Sequence, residues 1–270
     1  MTYRYRHTIF ACFLGYTVQA VVNNFLPLLF VHFGAQYGLP LSTVTFLVTF
    51  NFGLQLLTDL ISPGVVDRIG TRAAVVAAHL FAAAGFVALT VLPELIAPFP
   101  GLLIAVVLYA VGGGLLEVLV SPILEACPSD NKAAAMNLMH SFYCWGVVAV
   151  ILGSTLFFCL FGIQNWRILA CLWTLVPLMN IWNFAVCPIG HTVEDGQGMT
   201  VRQLLKLPLF WLMCMLMVCA GSAELSMAQW ASAFAESALG VSKSVGDLAG
   251  PCLFAVLMGT SRVLCSRMSD

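Results

Sequence analysis

The chain alternates between long apolar runs and short polar connections. Eight of the runs are long enough to cross a bilayer, because a spanning helix needs about 20 predominantly apolar residues. We number them as the first to eighth spans and place them at residues 8–33, 43–65, 73–93, 100–126, 133–161, 167–187, 209–234 and 246–265. The longest polar interruption, residues 188–208, separates the sixth span from the seventh. The pattern predicts an all-α membrane protein with a six-helix region at 1–187, a linker at 188–208 and two further helices within 209–270.

The composition supports this prediction. Hydrophobic residues make up 61% of the 270 residues and charged residues only 9%, whereas soluble domains contain about 25% charged residues. A soluble fold of this size cannot hide so much apolar surface. The ten cysteines are scattered, without a C-x-x-C pair or a zinc-like His/Cys spacing. We therefore interpret them as small buried hydrophobic residues and predict no metal or cofactor. No basic patch suggests a nucleic-acid partner.

The distribution of Lys and Arg predicts the orientation of the chain. These residues concentrate in the cytoplasmic loops of membrane proteins. With the N-terminus in the cytoplasm, nine of the eleven fall on the inner side, and only Arg167 and Lys243 fall outside. The nine are Arg4, Arg6, Arg68, Arg72, Lys132, Arg202, Lys206, Arg262 and Arg267. We therefore expect a multi-pass protein of the cytoplasmic membrane with a cytoplasmic N-terminus.

The seventh and eighth spans align with the first and second. The segment Val18–Phe25, VQAVVNNF, falls on Ala223–Trp230, AELSMAQW, and this alignment pairs Gln19 with Glu224. Six spans, a linker and a second set of similar spans indicate an internal repeat. The seventh span is therefore expected to begin a second copy of the first unit.

The loop between the second and third spans carries a motif. It reads VDRIGTR, and its Asp67, Arg68, Gly70 and Arg72 resemble the cytoplasmic signature loop of the major facilitator superfamily, G-x-L-a-D-R-x-G-R-R. Thr71 departs from that pattern. The resemblance implies a major-facilitator-type bundle of twelve helices in two six-helix halves and a gating role for the charged residues of the loop. We therefore expect a complete N-terminal half, two helices of the second half, and truncation after the eighth helix.

Three further motifs resemble the fucose:proton symporter branch of that family. They are GGGLLEVLVSPIL in the fourth span, NLMHSFYCWG in the fifth and GSAELSMAQW in the seventh. Ser121 stands where that branch carries Asn before Pro122. The resemblance implies proton-coupled sugar transport. The first span departs from it, because those symporters carry an acidic residue there and this chain has none. A proton mechanism therefore has to rest chiefly on Glu117, with His140 as a second candidate.

Glu117 is the most informative polar residue of the fourth span. It lies about 16 residues into the helix, roughly 24 Å down at 1.5 Å per residue, just after the three glycines at 112–114. Small residues permit close helix packing, and we expect them also to open space for a ligand. Burial disfavours the charged form of a carboxyl group, so Glu117 is a candidate for proton coupling or substrate binding. A structural glutamate bonded to a neighbouring helix is the alternative.

Two other acidic residues lie closer to the predicted inner side. Glu125 is expected at the cytoplasmic edge near Lys132, in a structural or gate salt bridge. Asp59 lies in the half of the second span that is closer to the predicted cytoplasmic side, and it shares a helix face with Gln55. We expect it to make a cytoplasmic gate contact rather than to bind substrate.

The first span contains a group of three polar residues. Asn23 follows Gln19 by four residues, so both side chains can face one cavity, and Asn24 lies beside them. Pro27 follows and is expected to kink the helix.

The fifth and seventh spans supply the remaining candidates. Asn137 and His140 lie one turn apart. His140 is either a structural histidine or part of a proton relay. Glu224 lies near the middle of the seventh span. Carboxyl and carboxamide groups can bind sugar hydroxyls, and an indole can stack on a sugar, although Trp also anchors helices at the membrane interface. We predict a substrate site formed by Gln19, Asn23, Asn24, Glu117, Asn137, His140, Glu224, Gln229 and Trp230.

The predicted function is secondary active transport of a small solute, with a sugar or polyol as substrate and a proton as the coupling ion. The predicted cavity contains no Arg or Lys, which disfavours strongly anionic substrates. Export of a drug or metabolite is the first alternative, and a non-transporting membrane sensor or assembly protein is the second. An enzyme is not expected, because the chain contains no H-E-x-x-H or G-x-S-x-G motif. The absence of a G-x-x-x-x-G-K-[ST] loop argues against an ATP-driven pump.

Overall fold

The computed structural model describes residues 5–128, 131–190 and 201–268, so that Arg4 and residues 191–200 of the predicted linker lie outside it. All secondary structure within these residues is helical. Eight of the described helical segments are long and apolar enough to cross a membrane, which confirms the eight predicted spans. In chain order they run Tyr5–Tyr37, Leu41–Ile69, Thr71–Leu95, Pro98–Glu125, Lys132–Phe161, Ile163–Val186, Pro208–Leu239 and Lys243–Ser266.

The first span is interrupted at Pro27, as the sequence predicts. An α-helix covers Tyr5–Asn24, a 3-10 turn covers Leu26–Leu29, and a second α-helix covers Phe30–Tyr37. Proline lacks the N–H that would bond to the preceding turn, so the regular hydrogen-bond ladder stops there. The span ends at Gly38, whose φ of 63° is a left-handed conformation that glycine adopts without strain.

The eighth span is also irregular. It begins with the short helix Lys243–Asp247, passes through a π-helical turn at Leu248–Cys252 and continues as the α-helix Leu253–Met268. Pro251 lies inside the π turn, where it cannot donate a backbone hydrogen bond. A short helix, Val201–Leu204, precedes the seventh span.

The consecutive glycines of the fourth span face different helices. A Cβ on Gly112 would lie 2.6 Å from the Ala78 carbonyl oxygen of the third span. One on Gly113 would lie 3.1 Å from Gln19 Oε1 of the first span, and Gly114 faces the second span at similar range. A side chain at these positions would collide with its neighbours, so the glycines permit the close packing that was predicted. The neighbouring helices fill the room beside them, contrary to the expectation that they open space for a ligand.

A buried polar cluster joins the first, third and sixth spans. His79 is fully buried; its Nδ1 lies 2.7 Å from the Val75 carbonyl oxygen and its Nε2 lies 2.8 Å from Asn180 Nδ2. Since an amide nitrogen can only donate, Nε2 accepts and Nδ1 carries the proton. Asn180 Nδ2 also donates to the Ala11 carbonyl oxygen over 3.0 Å. These contacts hold three helices of the N-terminal bundle together and support a structural role for His79.

Candidate functional site

A cavity of about 510 Å³ lies among the first, second, fourth, fifth, seventh and eighth spans. This volume is typical of small-molecule sites, which measure roughly 300–1,000 Å³. Its apolar wall includes Phe52, Leu116, Met217 and Leu225. Its polar lining consists of Tyr16, Gln19, Asn23, Glu117, His140, Tyr143, Glu224 and Arg262. The residues that were predicted and that meet in this cavity are Gln19, Asn23, Glu117, His140 and Glu224.

Glu117 is linked to the first span within this cavity. Its side chain is exposed to the cavity, and its Oε2 accepts a hydrogen bond of 3.4 Å from Gln19 Nε2. The same nitrogen donates to Gln55 Oε1 over 3.2 Å. The carboxyl groups of Asp59 and Glu224 lie close enough to act on Glu117 electrostatically. Glu117 therefore lies between a hydrogen-bond donor of the first span and two other acidic groups.

Gln19 connects Glu117 to a buried carboxamide cluster on the first and second spans. Gln55 Nε2 donates to Asn23 Oδ1 over 2.8 Å and to Asn51 Oδ1 over 3.0 Å. Asn51 Nδ2 donates to Asn23 Oδ1 over 3.4 Å. All four carboxamides are buried. Gln19 Oε1 has no hydrogen-bond partner among the described residues, so an acceptor near Glu117 stays open to a ligand or to a proton-bearing group.

Aromatic residues of the first and fifth spans add further polar groups. The Tyr16 ring meets the His140 imidazole edge to face, with centroids 5.1 Å apart. The Tyr16 hydroxyl lies 3.0 Å from Ser121 Oγ, the residue that replaces the Asn of the fucose-type motif. Asn24 Nδ2 donates to the Tyr143 hydroxyl over 3.4 Å. Phenol hydroxyls both donate and accept hydrogen bonds.

Arg262 of the eighth span also lines the cavity. The prediction that the cavity contains no Arg or Lys is therefore wrong. The charge pattern placed Arg262 at the inner surface because it lies near the end of its span. The helix, however, continues to Met268, and a long Arg side chain places its charged head far from its own Cα. Its guanidinium acts electrostatically on Tyr16 and His140.

Four predicted binding residues lie outside the cavity lining, and they are Asn24, Asn137, Gln229 and Trp230. Two of these join the seventh span to the first. Gln229 is buried, and its Nε2 donates to the Asn23 carbonyl oxygen over 3.0 Å. Trp230 packs against Phe30, with ring centroids 6.3 Å apart. Both side chains therefore contact protein in this conformation.

The predicted gating residues were Asp59, Asp67, Arg68, Arg72 and Glu125. Of these, Arg72 caps the end of the sixth span: its guanidinium donates to the carbonyl oxygens of Phe184, Ala185 and Cys187 over 2.7, 2.8 and 2.8 Å. Asp67, Arg68 and Glu125 are exposed, and the ion pairs found in the described part of the chain do not include them. Asp59 is half-buried near Glu117. Arg72 therefore stabilises the six-helix unit by joining its third and sixth spans.

The sequence interpretation missed Tyr16, Tyr143 and Arg262. Tyr16 precedes Gln19 by three residues, and Tyr143 follows His140 by three. Residues three apart share a helix face, so this spacing is the signal that points to both tyrosines. Arg262 carries no comparable signal, because its position along the helix matches an ordinary cytoplasmic charge.

A second cavity, of about 390 Å³, lies at the start of the eighth span and is lined by Glu236, Lys243 and Asp247 among others. Asp247 is buried. It accepts hydrogen bonds from Ser232, from Thr155 over 3.3 Å and from Lys243 over 3.2 Å. The Asp247 carboxylate therefore joins the fifth, seventh and eighth spans.

Comparison with known proteins gives one family and several structural neighbours. The sequence profile described as Major Facilitator Superfamily matches residues 8–270. The solved D-xylose-proton symporter is similar to this chain, with a TM-score of 0.65 and 16% identity over 96% of this chain and 66% of that chain. The POT peptide transporter solved in complex with sulfate has a TM-score of 0.58 and 17% identity over 82% of this chain and 46% of its own.

A structure of a proton-dependent oligopeptide transporter has a TM-score of 0.57 and 14% identity, over 97% of this chain and 50% of that chain. The chain thus spans about two thirds of the symporter and about half of the peptide transporters. At these identities the likeness establishes the fold alone. Comparison with curated protein sequences gives no match.

Proposed function

The chain belongs to the major facilitator superfamily, and from this premise we propose that it is a secondary active transporter of a small polyhydroxylated solute, such as a sugar or polyol. The solute crosses the cytoplasmic membrane by alternating access, and a proton is coupled to it through Glu117. The observation that carries the proposal is the central cavity, where Gln19, Asn23 and Glu117 of the first six spans face Glu224 of the seventh. The motifs that resemble fucose-type symporters support the sugar class.

Contacts on one side of the cavity support alternating access. The first and seventh spans touch where Gln229 bonds the Asn23 carbonyl oxygen and where Trp230 packs on Phe30. Phe30 follows the lining residues of the first span, and Gln229 and Trp230 follow those of the seventh. With the N-terminus in the cytoplasm, as the Lys and Arg distribution indicates, these contacts close the outer side. The conformation is then one in which the outer gate is shut.

The lining suits a solute with several hydroxyl groups. Gln19 and Asn23 provide carboxamides, Tyr16 and Tyr143 provide phenol hydroxyls, and Glu224 provides a carboxylate. Each can bond a hydroxyl group as donor, acceptor or both. Phe52 and the other apolar wall residues can contact the C–H faces of the solute. A few convergent polar groups on a mostly apolar wall are typical of a specific small-molecule site.

Proton coupling rests on Glu117 and Gln19. As a carboxylate, Glu117 accepts the Gln19 Nε2 hydrogen bond. As a neutral acid it gains a donor, for which Gln19 Oε1 is an acceptor without a partner among the described residues. Protonation therefore reverses the preferred hydrogen bond at Gln19 and disturbs its bond to Gln55. The titratable and charged groups around this pair are Tyr16, Asp59, His140, Tyr143, Glu224 and Arg262.

The proposal is tested with Glu117→Gln in proteoliposomes. We expect this variant to lose accumulation driven by a pH gradient and to retain part of its solute exchange, because glutamine preserves the size and hydrogen bonding of the side chain but binds no proton. Counterflow of radiolabelled sugars and polyols, with and without a pH gradient, measures both activities. The matched control is Glu236→Gln, which removes a half-buried carboxylate of the seventh span outside the central cavity and is expected to leave accumulation unchanged.

Two results would contradict the proposal in different ways. If Glu117→Gln accumulates solute in response to a pH gradient as well as the unmodified protein, Glu117 is not the coupling residue. If the purified protein exchanges no solute in either direction, with or without a pH gradient, the transporter assignment fails and a sensor or assembly role is favoured. Efflux of a drug without any sugar exchange would instead favour the exporter alternative.

A further inference from the structure

A cation at the central cavity is the least expected feature of the site. Arg262 lines the cavity, together with Glu117 and Glu224. The ion pairs among the described residues are Arg167 with Glu94 and Lys243 with Asp247. Arg262 therefore faces the cavity without an acidic partner in the described part of the chain.

An unpaired guanidinium in a membrane-spanning segment is expensive. Arg keeps its charge under all physiological conditions, so it cannot relieve the cost by losing a proton. Charged residues within membrane spans usually pair with each other or face a water-filled pathway where they bind substrate or ions. Arg262 acts electrostatically on Tyr16 and His140, and on Cys144 it acts both electrostatically and through a hydrogen bond. Glu224 acts on the same Cys144 thiol, but no ion pair between Arg262 and Glu117 or Glu224 is found among the described residues. A counter-ion brought by the solute resolves this imbalance.

The cavity lining carries charges of both signs. Asp59 and Glu224 are the acidic groups that act on Glu117, whereas Tyr16 lies within range of both Glu117 and Arg262. Tyr16 is therefore influenced by an acidic and a basic side chain of the same cavity. A solute that fits this arrangement carries one anionic group for the basic region and neutral hydroxyl groups for the rest.

We infer that the transported solute is a polyhydroxylated carboxylic acid, a sugar acid rather than a neutral sugar, and that the Arg262 guanidinium binds its carboxylate. This inference rests on the proposed transport function. A guanidinium presents parallel N–H donors that match the two oxygens of a carboxylate. A doubly charged phosphate ester fits less well, because Glu117 and Glu224 line the same cavity and repel a dianion. One carboxylate balances Arg262 and leaves the remaining hydroxyls to Gln19 and Asn23.

Symport of a sugar acid with a proton and symport of a neutral sugar with a proton move different net charges. A monocarboxylate carries one negative charge, and a coupled proton carries one positive charge, so symport of the pair with one proton moves no net charge. A neutral sugar with one proton moves one positive charge. Uptake driven by a pH gradient is therefore expected to be insensitive to a membrane potential set with potassium and valinomycin.

The test uses glucose, glucuronate and glucosamine, which share a ring and differ in one charged group. In proteoliposome counterflow we expect glucuronate to be preferred over glucose by about 10- to 100-fold, the range of one charge-assisted hydrogen-bond pair. Arg262→Gln is expected to abolish this preference, and Arg262→Lys to retain part of it because the charge remains. Lys206→Gln, which removes an exposed cation just before the seventh span, serves as the control and is expected to keep the preference.

The outcomes of this test distinguish a failure of the sugar-acid assignment from a failure of the proposed transport function. Exchange of glucose and glucuronate with equal preference, in the unmodified protein and in Arg262→Gln, overturns the inference and leaves proton-coupled sugar transport standing. A preference for glucosamine also overturns it. No exchange of any of the three solutes counts against the proposed function itself. Should Arg262→Gln fail to fold, counterflow by the unmodified protein decides, because exchange of glucose that equals or exceeds exchange of glucuronate overturns the inference.

Discussion

Gly113 sets the position of Gln19, the residue that bonds Glu117. A Cβ at Gly113 would lie 3.0 Å from Val22 Cγ1 and 3.1 Å from Gln19 Oε1. Both are ends of side chains, and the Gln19 carboxamide is the more flexible of the two. We therefore expect Gly113→Ala to fold at a cost of about 1–3 kcal/mol from overpacking and to push Gln19 away from Glu117. Transport should fall about tenfold, the equivalent of one lost hydrogen bond to a charged group, as measured by uptake in proteoliposomes.

Gly53→Ala is the control for this prediction. Nothing lies within 4 Å of a Cβ at Gly53, and alanine is the better helix former by up to about 1 kcal/mol. This variant should be at least as stable as the unmodified protein and transport normally. Equal losses of transport in the two variants, or full transport in Gly113→Ala, would show that the position of Gln19 does not matter.

The site residues that were predicted differ physically from those that were missed. Glu117 and Gln19 interrupt apolar runs, and because polar groups are costly to bury without partners, their position alone marks them. Tyr16 contributes mostly apolar ring surface, so it does not interrupt the apolar run of its helix. Trp230 lies outside the cavity lining for a geometric reason. It follows Glu224 by six residues, or about 240° around the helix, so the two side chains lie on different faces.

At the scale of helices, length and hydropathy predicted all eight spans, because a bilayer imposes both on a helix. The kink at Pro27 was predictable from the missing N–H. The π-helical turn at Leu248–Cys252 was not, although Pro251 lies within it, because the sequence does not say how neighbouring helices satisfy the freed backbone groups. The gating roles concern conformations other than this one, and the orientation rests on the distribution of Lys and Arg, so both stay predictions.

Asp247 is expected to stabilise the interface between the fifth, seventh and eighth spans. Its buried carboxylate accepts hydrogen bonds from Ser232, Thr155 and Lys243. We expect Asp247→Leu to destabilise the protein by about 1–3 kcal/mol, because it leaves buried donors without an acceptor. The apparent melting temperature in detergent should fall by several degrees. The melting temperature of Asp247→Asn should fall less, because asparagine keeps one acceptor oxygen.

Glu236→Gln is the matched control for Asp247. It removes a carboxylate that lines the same cavity but is only half-buried, so its melting temperature should stay close to that of the unmodified protein. An unchanged melting temperature in Asp247→Leu would mean that the hydrogen bonds to this carboxylate contribute nothing to holding the three spans together.

At the scale of the whole molecule, the contact between Phe30 and Trp230 joins the first and seventh spans on one side of the cavity. The proposed alternating access requires this contact to open and close once in each cycle. A covalent link across it should therefore hold the outer gate shut. We expect Phe30→Cys combined with Trp230→Cys, joined by a short bifunctional thiol reagent, to stop net transport while leaving the protein folded. Counterflow before and after cross-linking measures the effect.

The cross-link has to be made in a background from which the other exposed cysteines, including Cys159 and Cys219, have been replaced. Each single-cysteine variant treated with the same reagent provides the control, because it is modified at one side of the contact and remains free to separate. A reducible reagent adds a second control, since cleaving the link should restore transport. If the doubly substituted, cross-linked protein exchanges solute at the rate of the single variants, the first and seventh spans do not separate during transport. The cavity would then have to open by a different movement of the bundle.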